Sequence, residues 1–239
     1  MAQLRAVCFD LDDTLCDEAG SVLRAVEATA RHAGQRLGTD WRALADVYQR
    51  VGNALWMQFD SWGRGLGKLA VRRYVWRAAL LAGGFDASDD LVAKIAEHYT
   101  MTRERDHRWI GGARQGLLVL RRSYRIGLIT NGSTEIQREK VRALGLDRLC
   151  HCIVVAEECG CSKPAPGIFE RAMRKLEVEA DECVMVGDRP EADIVGAHAV
   201  GIRSVWIAPD DAVWPLRDRG PWRRARSVAL VPGVVRQWA

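Results

Sequence analysis

An isolated apolar strand near the N-terminus, a long strand-free stretch after it and regular helix–strand alternation from Gly111 onward predict an α/β fold. The expected architecture is a Rossmann-like, doubly wound parallel sheet interrupted by an all-helical insertion. Leu4 to Phe9 reads as a short buried strand, and its apolar run requires cover on both faces, which places it in the same sheet as the later strands. Between it and about Arg108, helical periodicity predicts helices over Gly20–Leu37, Trp41–Phe59, Leu66–Ala82 and Asp89–Arg105. Turn-rich breaks separate them at Gly38-Thr39-Asp40, at 61–65 and at Gly83-Gly84. From there helices near Ala113–Arg122, Thr134–Leu144, Pro166–Glu177 and Glu191–Val200 alternate with strands Arg125–Thr130, Ile153–Ala156, Glu182–Val186 and Arg203–Ile207. The expected division is a core of 1–16 and 106–239 with a helical insertion over 17–105. Residues 208–239 predict irregular packing back on the core.

Composition restricts the function classes. With 239 residues, 48% hydrophobic and 28% charged, the chain has the balance of a globular protein, and no apolar run approaches the roughly 20 residues that span a bilayer. No charged-then-apolar leader opens the sequence, so a cytoplasmic protein without a membrane partner is expected. The net charge of +4 is unevenly placed. Ser61 to Phe85 contains no acid but holds Arg64, Lys68, Arg72, Arg73 and Arg77, and Arg217 to Arg226 holds five arginines against Asp218. Neither cluster lies in a nucleic-acid module, so a solvated face or attraction of a small anion is expected instead. Seven cysteines without secretory features predict free thiols. The pairs Cys150/Cys152 and Cys159/Cys161 are separated by the apolar run Ile153–Ala156. About 13 Å of strand would hold them apart, which argues against a zinc site.

Polar residues collect at the carboxyl end of one predicted strand after another, where sheets of this kind place their ligands. The first strand ends in Asp10-Leu11-Asp12-Asp13-Thr14, the second in Thr130-Asn131-Gly132 and the fourth in Gly187-Asp188, with Asp193 five residues on. Lys163 stands in Ser162-Lys163-Pro164 after the third strand. Singly, each has an ordinary explanation as a turn, a helix cap or a surface lysine. In order, they supply a nucleophilic carboxylate with a second carboxylate for proton transfer, a cation and hydroxyl to grip an anion, and acids for a hard metal.

These motifs resemble those of the haloacid dehalogenase superfamily of aspartate-nucleophile hydrolases, over residues 4 to 207. The segments Leu128–Gly132, Gln137-Arg138-Glu139-Lys140, Lys163–Phe169 and Val184–Asp188 are similar to its phosphatases of the N-acylneuraminate-9-phosphatase and pyrimidine-nucleotidase type. The resemblance implies a Mg²⁺-dependent phosphatase acting on a small anionic phosphate ester, such as a sugar phosphate, nucleotide or phospho-acid, through an aspartyl-phosphate. Asp10 is the implied nucleophile, and Asp12 the general acid and base, with Thr14 orienting it. Thr130, Asn131 and Lys163 are implied to grip the phosphate. The implied metal site comprises Asp10, the Asp12 carbonyl and Asp188, with Asp193 behind them. The insertion matches the family's helical cap. On the cap, Arg64 or Arg72 is expected to meet a second anionic group and Trp62 or Trp76 a ring, unless this face is simply solvated with Trp76 in the cap core. Dehalogenation is disfavoured because it needs no acid at Asp12. Sugar phosphomutases share the same motifs, a non-catalytic binding module on this fold is the disfavoured alternative because every catalytic position is filled, and a monomer or homodimer is expected.

Overall fold

The computed structural model describes residues 3–217 and 220–238, so Asp218 and Arg219 of the second basic cluster lie outside the described residues. The chain forms two compact units. One comprises the chain up to Asp17 together with Arg108 onward, and the other is Glu18–His107.

Strand β1 (Ala6–Phe9) opens the first unit. The second unit is entirely helical: α1 (Glu18–Leu37), α2 (Trp41–Met57), a single turn α3 (Phe59–Trp62), α4 (Lys68–Ala82) and α5 (Asp89–Glu104). Asp40 and Ser88 start α2 and α5 by accepting from the backbone N–H groups of Arg42 and Leu91, as N-cap chemistry dictates. The apolar stripes of these helices close on Ala30, Leu44, Tyr48, Val75, Trp76, Leu80 and Ile95. The second helix ends at Met57 rather than Phe59, because the chain turns at Gln58 and restarts as α3.

The first unit resumes with α6 (Ala113–Leu120), β2 (Arg125–Thr130), α7 (Thr134–Leu144), β3 (Cys152–Val155), the one-turn α8 (Ala156–Cys159), α9 (Pro166–Leu176) and β4 (Cys183–Gly187). A π-helical turn, Pro190–Val195, runs into α10 (Gly196–Ala199) where the sequence predicts one continuous helix. Then follow β5 (Arg203–Ile207), β6 (Arg223–Ala225) and α11 (Val231–Arg236). The six strands pair in the order β3-β2-β1-β4-β5-β6, every pair parallel. The order reverses at β1, whose two sides face β2 and β4, so the end of β1 is the switch point where sheets of this type bind ligands.

Alternation along β1 shows why both faces are covered. Val7 and Phe9 join Leu117, Leu128, Val184 and Val231 on one face, while Ala6 and Cys8 join Ile129, Ile168, Phe169 and Met185 on the other. Cys8 packs 3.6 Å from Cys183 between sulfurs, and a Cβ at Gly127 would come 2.8 Å from the Cys8 sulfur. Glycine at that point of β2 therefore admits the thiol, and all seven cysteines are free. No helix among the described residues is long and apolar enough to cross a membrane.

Gly196, at the start of α10, lies where an added Cβ would stand 2.7 Å from the Phe169 ring and 2.9 Å from Pro164 Cα. Gly196→Ala is expected to lower unfolding free energy by about 1–3 kcal/mol in urea titration, the usual range for overpacking.

Candidate active site

Register brings the chemistry together. Phe9 pairs with Leu128 on one side and Val186 on the other, so the residue after β1 emerges level with the ends of β2 and β4. That residue is Asp10, whose N–H donates to Val186 O (2.9 Å) and whose side chain is buried. The chain then folds into a tight loop: the N–H groups of Leu15 and Cys16 both donate to Leu11 O, and Asp13 N–H donates to Cys16 O. Asp13 takes a left-handed φ of 58°, which aspartate tolerates better than most residues.

Lys163 reaches this point from the segment between β3 and α9. Its ammonium donates to Asp10 Oδ1 (2.5 Å) and to Asp193 Oδ1 (2.6 Å), with all three side chains buried. The lysine backbone is fixed from the end of β2. Asn131 Nδ2 donates to Lys163 O (2.9 Å), and Lys163 N–H donates to Asn131 Oδ1 (2.7 Å). The Asn131 side chain thus holds the lysine backbone, a role the sequence did not suggest. Asp193 is presented by the π-helical turn and accepts a second bond at Oδ2 from Arg189 N–H (2.9 Å). Thr130 ends β2 buried, its hydroxyl donating to Asn131 O (3.3 Å).

Carboxylate oxygens of Asp10, Asp188 and Asp193 lie within 4.8 Å of one another. Burial pushes the Asp10 carboxyl up to about 6, with the Asp193 charge adding to the rise and Lys163 opposing it. Burial, then the charges of Asp10 and Asp193, push Asp188 up to about 8. Lys163 is shifted upward: its own burial opposes this, but the two carboxylates outweigh it. Thr14, expected to orient Asp12, donates to Asp188 Oδ1 (3.1 Å), and Trp206 Nε1 donates to Asp188 O (2.8 Å). An all-oxygen donor set with excess negative charge suits Mg²⁺ or another hard dication.

Asp12 is held by two residues of α7 to which the sequence pattern assigns no role. Lys140 Nζ donates to its Oδ1 (2.8 Å) and Gln137 Nε2 to its Oδ2 (2.9 Å). The available signal was their spacing, since residues i and i+3 share a helix face.

The cap residues singled out in the sequence sit within the fabric of the helical unit. Trp62 donates from Nε1 to Leu55 O (2.8 Å) and stacks on Tyr74, and Arg64 pairs with Asp60 (3.1 Å) at the surface. Arg72 is buried with its guanidinium over the Tyr99 ring, and Trp76 lies in the helical core. The face is therefore not a uniformly solvated one: aromatic packing takes up Arg72 as well as Trp76.

A profile of haloacid dehalogenase-like hydrolases matches residues 4–201. The chain belongs to the haloacid dehalogenase-like hydrolase family. It is 32% identical over 213 residues to glyceraldehyde 3-phosphate phosphatase of Pyrococcus furiosus, covering 87% of this chain and 82% of that one. Human N-acylneuraminate-9-phosphatase is 28% identical, with 98% and 95% covered. The crystal structure of the HAD-hydrolase YfnB of Bacillus subtilis, bound to magnesium, superposes with a TM-score of 0.75 at 24% identity, over 98% of this chain and 99% of that one. That likeness reports the fold.

Removing the ammonium tests the energetics of this charged centre. Lys163→Met should cost about 3–5 kcal/mol at pH 7.5, because two buried carboxylates lose their cation. The folded-state carboxyl groups of the variant are then raised above their unfolded values, so stability is lost as pH rises and recovered as it falls. Chemical denaturation at pH 5 and pH 7.5 should show the deficit against wild type narrowing at the lower pH.

Proposed function

We propose that this hydrolase is a Mg²⁺-dependent phosphatase of small phosphorylated metabolites that works through an aspartyl-phosphate on Asp10. The observation that carries the reading is the Asp12 carboxylate, two residues beyond the buried Asp10 and fixed by Lys140 and Gln137. An alkoxide leaving group is a strong base and needs a proton, whereas halide does not. A carboxylate placed for proton transfer therefore favours phosphate esters over haloacids.

In this reading Asp10, paired with Lys163, attacks phosphorus while Asp12 gives a proton to the departing alkoxide. Asp12 then takes a proton from the water that cleaves the acyl phosphate. Lys163, the Thr130 hydroxyl and the Asn131 backbone N–H attract the phosphoryl oxygens, and Asp193 keeps Lys163 in place. Fully ionised, Asp10, Asp12, Asp188 and Asp193 carry four negative charges, and the described ion pairs set against them the two ammonium groups of Lys140 and Lys163. A dication restores neutrality. Asp10, Asp188 and the Asp12 carbonyl would hold Mg²⁺, which when bound neutralises charge on the phosphoryl group. The helical unit would act as the cap that supplies specificity. The phosphatases named among the relatives support a small phosphate ester as substrate.

Hydrolysis of p-nitrophenyl phosphate should require Mg²⁺ and be lost on addition of EDTA. Asp10→Asn should lower kcat by at least about 10³-fold, as expected when a nucleophile is removed. Turnover that is indifferent to EDTA, or that survives Asp10→Asn, would contradict the reading. A panel of sugar phosphates, nucleotides and phospho-acids, with 2-chloropropionate as the haloacid arm, identifies the substrate class.

A further inference from the structure

We infer that Lys140 and Gln137 are positioning residues that hold the Asp12 carboxylate in the orientation needed for proton transfer. This inference rests on the phosphatase reading and assigns a function to α7, a helix outside the nucleophile, lysine and metal-aspartate segments.

The Asp12 side chain is 30% exposed, unlike the buried Asp10 and Asp193, and it stands on a loop rather than in a strand. A solvated carboxylate there would rotate about both of its side-chain torsions. Instead each oxygen has its own donor, Lys140 at Oδ1 and Gln137 at Oδ2. Lys140 keeps its ammonium at 2% side-chain exposure, a costly placement for a charge that does nothing but fill space. The two donors approach from one face of α7, whose first turn is fixed by Ser133 Oγ accepting from Ile136 N–H. Gln137 Nε2 also donates to Asn131 O, and the Asn131 side chain grips the Lys163 backbone. A continuous set of hydrogen bonds therefore runs from the proton carrier to the lysine on the nucleophile.

The role divides between two balanced steps. In the first, an Asp10 oxygen bonds to phosphorus, the bond from phosphorus to the ester oxygen breaks, and the Asp12 proton goes to that oxygen to release an alcohol. In the second, Asp12 takes one proton from water as the water oxygen bonds to phosphorus. The acyl-phosphate P–O bond then breaks, restoring the Asp10 carboxylate and releasing phosphate. Only a correctly aimed Asp12 serves both, and its contribution is greatest where the leaving group is most basic.

The test uses first-turnover rates by rapid quench, with Mg²⁺ present, on two aryl phosphates. p-Nitrophenolate leaves without a proton, while phenolate, a stronger base, leaves with acid assistance. Lys140→Met should raise the ratio of the p-nitrophenyl to the phenyl phosphate rate by at least about tenfold over wild type, within the range that general acid catalysis supplies. KM should stay within about threefold. With p-nitrophenyl phosphate, the second step should become the slower one and appear as a burst. Gln137→Met should change the ratio in the same direction, by less. A loss equal on both esters, with burst amplitude falling in proportion, would report misfolding or a purely structural role and overturn the assignment. So would an unchanged ratio, or an effect confined to KM. Wild-type protein that fails to turn over either ester would overturn the phosphatase reading along with it, whereas an active wild type matched by both variants would overturn the positioning role alone.

Discussion

One buried ammonium holds the active centre together. Parallel pairing on both sides of β1 brings carboxylates from the ends of β1 and β4 to the same level, and the π-helical turn adds a third. At about 4 Å and an effective dielectric near 20, two such charges repel by roughly 4 kcal/mol. Lys163 offsets that repulsion by bonding Asp10 and Asp193 at once. The surroundings follow from keeping it there: the Asn131 carboxamide grips its backbone from β2, and Arg189 N–H occupies the other Asp193 oxygen. Even so, burial and then the charges of Asp10 and Asp193 keep the Asp188 carboxyl raised to about 8.

The carboxylate to which the proposed reading gives proton transfer has a separate support. Asp12 leans on α7 and Asp10 on the β3–α9 segment, and Gln137 with Asn131 joins the two. On that reading, the Asp10–Lys163–Asp193 arrangement would suit displacement by carboxylate whatever the leaving group. In the proposed reading, Asp12 and its α7 donors adapt it to esters whose alcohols need a proton.

Local patterning exposed most of the fold. β2, α7 and β5 have the bounds read from sequence, because turn residues such as Gly132-Ser133 and Gly201 frame short apolar or amphipathic runs. β6 escaped notice: Arg223-Arg224-Ala225 is a three-residue polar edge strand with no apolar alternation to betray it. The π-helical turn was hidden because its residues differ little in pattern from an α-helix, although it aims Asp193. The strand-end residues of the site were legible in order, since polar or charged residues follow the apolar runs of β1, β2 and β4. Their pairings were not. Thr14 bonds Asp188, Asn131 grips Lys163, and Lys140 reaches Asp12 across 128 positions, contacts that periodicity does not encode. Arg72 shows what a basic stretch leaves unread: its guanidinium lies buried over the Tyr99 ring, a contact that the pattern does not show.

The central claim is that Asp10, poised by Lys163, carries the phosphoryl group. Acid-quenched turnover of p-nitrophenyl phosphate with Mg²⁺, followed by peptide mass spectrometry, tests it most directly. A phosphoryl adduct on Asp10 that is absent from Asp10→Asn is the expected result. An adduct on another residue, or hydrolysis through which no adduct forms in Lys140→Met protein stalled at the second step, would contradict it.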